Sequence, residues 1–290
     1  MNVLRHENPA SARVSDADEA IFAAGRETAD PPLPPEALQT SAPAGTLVWR
    51  RHTGAVVYPG VARDYAVYTQ AGLDRSRPAA LLVFQDGRSY TGDSFRAPTV
   101  LDALIASGAI PPMVAVFVQP GDLPGEAEQS RGNRSLEYDT LDDAYPRFLL
   151  DELLPVALAG LNVSTDPAQR AICGMSSGGI CAFNAAWERP DAFGRVISHV
   201  GSFTNIRGGH VYPSRVRSAE RKPIRIFLQG GAQDLDRPTG NWPVANFDMA
   251  TALQQKGYDY RFEFGPGGHD LKHGAAIFPA TLRWLWRTTQ

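Results

Sequence analysis

The segment Gly174-Met175-Ser176-Ser177-Gly178-Gly179 carries a serine with glycines two positions to either side. That spacing has a steric cause. A serine that must project from a tight, strained strand-to-helix turn needs small residues on both flanks, so that strand and helix can approach. The same turn aims the amide of the next residue, Ser177, toward a developing oxyanion. Ser177 is the rival hydroxyl, but Met175 stands where its first glycine would have to be. The chemistry implied is nucleophilic acyl transfer, which needs an imidazole to take the serine proton and a carboxylate to hold that imidazole.

Six histidines are available. His6 lies near the N-terminus, His52 in an early strand pattern, His199 in an apolar strand pattern that suits a satisfied core residue, and His210 in a Gly-rich loop near the expected pocket. His269, in Gly265-Pro266-Gly267-Gly268-His269-Asp270, follows the last strand pattern and precedes the last helix pattern, the position of the base in the chain order nucleophile, acid, base. His273 stands four residues on, but no third ligand accompanies the pair. No metal and no organic cofactor are expected. The acid should lie in Gln229-Gly230-Gly231-Ala232-Gln233-Asp234-Leu235-Asp236. Asp234 is favoured over Asp236, with the other left to turn or cap duty.

The positioning elements alternate. Strand patterns recur at Thr46–His52, 64–69, 79–84, Met113–Val118, 168–173, 194–201, 224–228 and 260–264, with helical patterns at 141–157, Ser177–Glu188, 244–256 and 275–286. Alternation of this kind predicts an α/β fold: a mainly parallel central sheet with helices on both faces, and ligands bound outside the carboxyl ends of the strands. Residues 46–290 read as one catalytic domain. Residues 1–45, rich in proline and polar side chains, read as an N-terminal arm, irregular or partly helical, packing on the body or on a neighbouring subunit; a homodimer is therefore kept open.

Of 290 residues, 28 are basic and 31 acidic, for a formal net charge of -3. That balance lacks the basic excess of a nucleic-acid binder. No apolar run is long enough to span a bilayer, and no apolar stretch follows a basic start, so no membrane partner and a cytoplasmic location are expected. The two cysteines, Cys173 and Cys181, are too few for a disulfide scaffold and read as reduced core residues.

With these residues assigned, the chain from about 45 to 290 resembles the enterochelin-esterase-like, esterase D type family of serine esterases, which includes feruloyl and acetyl-xylan esterases and, more distantly, mycolyltransferases. The likeness rests on Val83-Phe84-Gln85-Asp86-Gly87, Asn133-Arg134-Ser135-Leu136-Glu137-Tyr138, Gly174–Gly179 and Gly267-Gly268-His269. It implies an α/β-hydrolase fold. It also implies hydrolysis of a small ester through an acyl-enzyme, the substrate being an acylated carbohydrate, a sugar-acid ester or lactone, or a siderophore ester. A second oxyanion amide is implied at Arg88, with Gly87 as alternative. The same triad serves acyltransferases, and a non-catalytic binding module would betray itself by loss of a triad member, none of which is missing. By position, the polar segment 119–138 overhangs the mouth. There Arg131 and Arg134 either clamp a substrate oxygen or, as an Arg134–Glu137 pair, order the loop. Trp242 and Phe203 are candidate pocket walls or packing residues.

Overall fold

The computed structural model describes residues 6–7, 14–38, 41–123 and 131–288, and of His6, Glu7 and Arg131 the backbone only. In chain order the elements begin with β1 (His6–Glu7), α1 (Asp16–Glu27), α2 (Pro35–Leu38), β2 (Thr46–His52), β3 (Arg63–Thr69) and β4 (Ala80–Gln85). Then come α3 (Gly87–Thr91), α4 (Ala97–Ala106), β5 (Met113–Val118), α5 (Arg131–Asp139), α6 (Ala144–Arg147), α7 (Leu154–Ala157), β6 (Arg170–Met175) and α8 (Ser177–Glu188). The last third holds β7 (Arg195–His199), α9 (Tyr212–Ser218), β8 (Arg225–Gly231), a small hairpin β9 (Asp236–Arg237) and β10 (Gly240–Asn241), α10 (Trp242–Gln255), β11 (Asp259–Gly265) and α11 (Lys272–Trp286).

Among the described residues nine strands form one sheet in the order β1-β11-β8-β7-β6-β4-β5-β3-β2. The run from β11 to β5 is parallel, while β1, β3 and β2 pair antiparallel at the edges. This is the α/β-hydrolase fold. Its central strands are largely buried because both faces are covered, and β5 is apolar throughout while β4 is apolar as far as Phe84. In β4, Leu81 and Val83 enter the core beneath α8, whereas Leu82 and Phe84 enter the core shared with α4 and α11.

After β4 the chain builds β5 on one side, then crosses to build β6 on the other. The β4–β6 neighbourhood is therefore the topological switch point, where the carboxyl ends diverge and leave a crevice. Into that crevice lead Asp86 from β4 and Ser176 from β6.

The helical pattern over 141–157 resolves into α6, one wide π turn over Phe148–Leu153, and α7. Pro155, with no amide to donate, sits just beyond the wide turn. Helices α3 and α4 form without a side-chain cap bond, although Asp86 and Pro98 are residue types common at helix starts. Each is entered through a non-glycine residue in the left-handed region, Asp86 and Arg96, both at φ 56. Helix α5 occupies part of what reads as a polar loop.

Residues 14–38 pack against the body. Phe22 of α1 is fully buried, stacked 5.9 Å from Phe227 and 3.8 Å beneath the Arg261 guanidinium. Around it Arg26 meets Glu263 at 2.5 Å and Arg283 meets Asp18 at 2.5 Å. Truncating a buried aromatic of this kind leaves a cavity worth about 3–5 kcal/mol. Phe22→Ala should therefore lower the unfolding free energy by that order in urea titration. A loss below about 1 kcal/mol would mean that the arm contributes little to the core.

Candidate active site

Residues Gly174 and Gly178 explain the turn between β6 and α8. A Cβ on Gly174 would lie 2.1 Å from the Gly178 carbonyl oxygen, and one on Gly178 would lie 2.7 Å from Asp86 Oδ2. With both side chains absent, Ser176 is held at φ 57, ψ -123, a conformation that costs an L-residue energy. Backbone bonds hold it there. Its amide donates to the His199 carbonyl at 2.9 Å, and its carbonyl accepts from Gly179 at 2.9 Å and from Ser202 at 3.0 Å.

Three loops far apart in sequence meet at its hydroxyl. His269 Nε2 lies 2.8 Å from Ser176 Oγ, and His269 Nδ1 lies 2.5 Å from Asp234 Oδ1. The Asp234 side chain is almost fully buried and that of His269 is partly exposed. The loop after β8 is tied to the loop after β11 by backbone bonds, Ala232 to the Gly265 carbonyl at 2.8 Å and Gln233 to the Gly267 carbonyl at 2.9 Å. Those two bonds fix the carboxylate relative to the imidazole. Asp236 lies in the exposed hairpin, paired through its backbone with Asn241, while the bond to His269 Nδ1 is made by Asp234.

At the end of β4 the amide of Arg88 donates to Gln119 Oε1 at 2.9 Å, so this amide already has an acceptor. The Arg88 guanidinium reaches Asp64 at 2.9 Å and lies 4.5 Å over the Trp49 ring. Gly87 adjoins it as the first residue of α3.

The substrate-binding candidates separate. Arg134 does not pair with Glu137. It grips Asp86 with two bonds, at 2.8 and 2.7 Å, and reaches the carbonyl of Met175, the residue before the nucleophile, at 3.4 Å. Burial opposes its charge, but the charge and hydrogen bonds of Asp86 outweigh this and raise its pKa. Glu137 instead makes a wholly buried fork with Arg63, at 2.6 and 3.0 Å, and also accepts from the Gly121 amide. Both acids therefore order the segment onto the sheet. The side chain of Arg131 lies outside the described residues. Phe203 is not a wall: it is buried edge-on between Phe183 and Tyr212. Trp242 is buried with its ring 5.7 Å from that of His269, at 83°, and its Nε1 donates to Ser202 at 3.2 Å.

Beneath the site lie two further histidines, His199, expected as a core residue, and His273, weighed only as a metal partner of His269. His199 Nδ1 is 2.9 Å from the Tyr90 hydroxyl, and His273 turns inward, its Nδ1 3.2 Å from Gln229 Nε2. Cys173 and Cys181 are free and buried, and burial pushes both thiols up. Among the described residues no three His, Cys, Asp or Glu side chains group as metal ligands. Among those residues too, no helix is long and apolar enough to cross a membrane. Ser202, 3.2 Å from Ser176 Oγ, was not anticipated. The only cue was its place just past a predicted strand, next to the more conspicuous Phe203.

The α/β-hydrolase sheet thus brings a serine, an imidazole and a carboxylate into contact at its switch point. Comparison with known proteins supplies the family. A family model described as "Putative esterase" matches residues 61–285. The Iron(III) enterobactin esterase of Dickeya dadantii (strain 3937) is 28% identical over 236 residues, 76% of this chain and 50% of that protein. The chain thus spans about half the length of this curated relative. Among solved structures, the enterobactin esterase of Shigella flexneri superposes with a TM-score of 0.68 at 22% identity, covering 88% of this chain and 63% of that one. A ferulic acid esterase of Anaeromyces mucronatus does so with a TM-score of 0.67 at 17% identity, covering 86% and 94%. The chain belongs to the esterase family, a family of ester hydrolases.

Burial lowers the pKa of His199 to about 3 and that of His273 to about 4, with the charges of His273 and of Arg26, respectively, acting in the same direction. Both rings are therefore neutral when folded, whereas in the unfolded chain they protonate below about pH 6.5. The unfolded state binds more protons in that window, so stability falls as pH falls. From pH 6.5 to about 5, above most carboxylate titration, the unfolding free energy should drop with a slope of up to about 1.4 kcal/mol per pH unit for each ring. His199→Gln should flatten that slope in urea midpoints measured across the window. An unchanged slope would mean that His199 is protonated in the folded protein.

Proposed function

We propose that the protein is a serine carboxylic-ester hydrolase in which Ser176 is the nucleophile, His269 the general base and Asp234 the orienting acid. The observation that carries this is the unbroken hydrogen-bonded chain from the Asp234 carboxylate through both nitrogens of His269 to the Ser176 hydroxyl. With Nδ1–H donated to the carboxylate, Nε2 is left as an acceptor facing the serine proton. Ser176 attacks the ester carbonyl as its proton passes to His269. The tetrahedral intermediate collapses as the imidazolium protonates the departing alcohol, and water activated by the same ring releases the acid.

The oxyanion is received by the Ser177 amide and by a second amide after β4. Gln119 already accepts from Arg88, so Arg88 serves only if that side chain yields; Gly87 is the alternative. Two such fixed amides matter because losing one donor typically costs about 10²–10³ in rate. No cofactor enters the cycle. The partner is a small-molecule ester. Relatives named as enterobactin and ferulic acid esterases favour a siderophore ester or an acylated, feruloylated carbohydrate, with sugar-acid esters and lactones in the same chemical range.

The test is a panel of esters varied separately in acid and alcohol part, run on wild type, Ser176→Ala, Asp234→Asn and Asp236→Asn. Ser176→Ala should lose about 10⁴-fold or more in kcat, and Asp234→Asn about 10³–10⁴-fold. Asp236→Asn should stay near wild type. Turnover retained by Ser176→Ala would reject the reading. Product diverted from acid to a new ester by added alcohol would mark an acyltransferase instead.

A further inference from the structure

One hydroxyl touches the reacting atom and is used by no step above. Ser202 Oγ lies 3.2 Å from Ser176 Oγ, and it also accepts the indole Nε1–H of Trp242 at 3.2 Å. Ser202 and Trp242 are about 1% and 3% exposed, so neither bond competes with bulk water.

The backbone is bent to bring Ser202 there. Val200, which follows β7, sits at φ 43, an outlying conformation for a β-branched residue, and its amide donates to the Gln229 carbonyl at 2.7 Å. Two residues on, the amide of Ser202 donates to the Ser176 carbonyl, which locks the two serines side by side. Trp242 is held as firmly. Its own amide donates to the Leu235 carbonyl at 2.9 Å, and Asn246 Nδ2 bonds both the Trp242 and Gly201 carbonyls, at 3.0 and 2.9 Å.

Proton accounting gives the bond a direction. An indole nitrogen only donates, so Ser202 accepts from Trp242 and keeps its own proton to give. With the Ser176 proton directed to His269 Nε2, Ser176 Oγ offers lone pairs to that donor.

We propose that Ser202 is a further catalytic residue: its O–H donates to Ser176 Oγ, and Trp242 is the positioning residue that orients it through its indole N–H. This rests on the reading of Ser176 as nucleophile. The bond fixes the rotamer of Ser176 so that its proton points at His269 and a lone pair faces the substrate. When the acyl-enzyme is hydrolysed, Oγ becomes the leaving group. It regains its proton from the His269 imidazolium while the Ser202 O–H, which transfers no proton, stays bonded to it.

The experiment measures kcat and KM for p-nitrophenyl acetate, with urea midpoints, on wild type, Ser202→Ala, Trp242→Phe, the double variant and Ser176→Ala. Loss of one such neutral hydrogen bond corresponds to about 10-fold. Ser202→Ala should therefore lower kcat by about that factor with KM little changed. Trp242→Phe, which keeps a ring beside His269 but removes the N–H, should lower kcat several-fold in the wild-type background and not at all in the Ser202→Ala background. Wild-type kcat in Ser202→Ala would overturn the proposal. So would an undiminished Trp242→Phe effect in the double variant, because the ring would then act by packing alone. If Ser202→Ala does not fold, Trp242→Phe at wild-type kcat overturns it equally. Turnover retained by Ser176→Ala would instead sink the underlying assignment, and that outcome is read separately.

Discussion

Everything at the candidate site hangs on a steric constraint: α8 lies so close to β6 at Gly174, and to the end of β4 at Gly178, that neither position has room for a Cβ. That approach forces Ser176 into a strained backbone conformation costing roughly 1–3 kcal/mol. The cost is met locally. The amide and carbonyl of Ser176 are both engaged by neighbouring strand ends, and the Arg134–Asp86 fork braces the adjoining end of β4 against the carbonyl of Met175. One guanidinium thus ties together the strand that presents the serine and the strand that leads into the Gly87–Arg88 amides. Arg134 acts as a brace through its Nε and Nη2, which are bonded to Asp86 and to the Met175 carbonyl.

The histidine loop is supported from the other side. Gly265 abuts His273, whose ring a Cβ there would meet at 2.8 Å, while Lys272 pairs with Asp30 at 2.7 Å and Arg26 with Glu263. The residues after α1 therefore border the turn that carries His269. The Lys272–Asp30 pair is exposed and is worth little energetically. The Arg26, Arg261 and Glu263 cluster is buried, and removing one partner there would strand a charge.

Much of this was legible in the sequence, for identifiable reasons. Short apolar runs such as 79–84 and Met113–Val118, too short for a helix and rich in β-branched and aromatic residues, read as buried strands, and the glycine spacing around Ser176 has one good steric explanation. The order of serine, aspartate and histidine along the chain is the one this fold class uses, and in the structure it is Asp234 that bonds His269. What escaped notice lacks a local signature. Helices α3 and α4 are only five and ten residues long and are entered through left-handed residues with no side-chain cap bond, so they leave only a weak periodic pattern. Glu137 is three residues from Arg134 yet bonds Arg63 on β3, a partner 74 residues away that spacing alone does not single out. Phe203 drew attention by its size, whereas the small neighbour Ser202 is the one that faces the nucleophile.

The central claim is that one serine hydroxyl is made nucleophilic by one imidazole. The most direct measurement is stoichiometric labelling with a fluorophosphonate, followed by mass spectrometry of the peptides. The account predicts a single adduct per chain, on Ser176, forming quickly in wild type and far more slowly in His269→Gln. An adduct on Ser177 or elsewhere, or labelling at the same rate without His269, would contradict it.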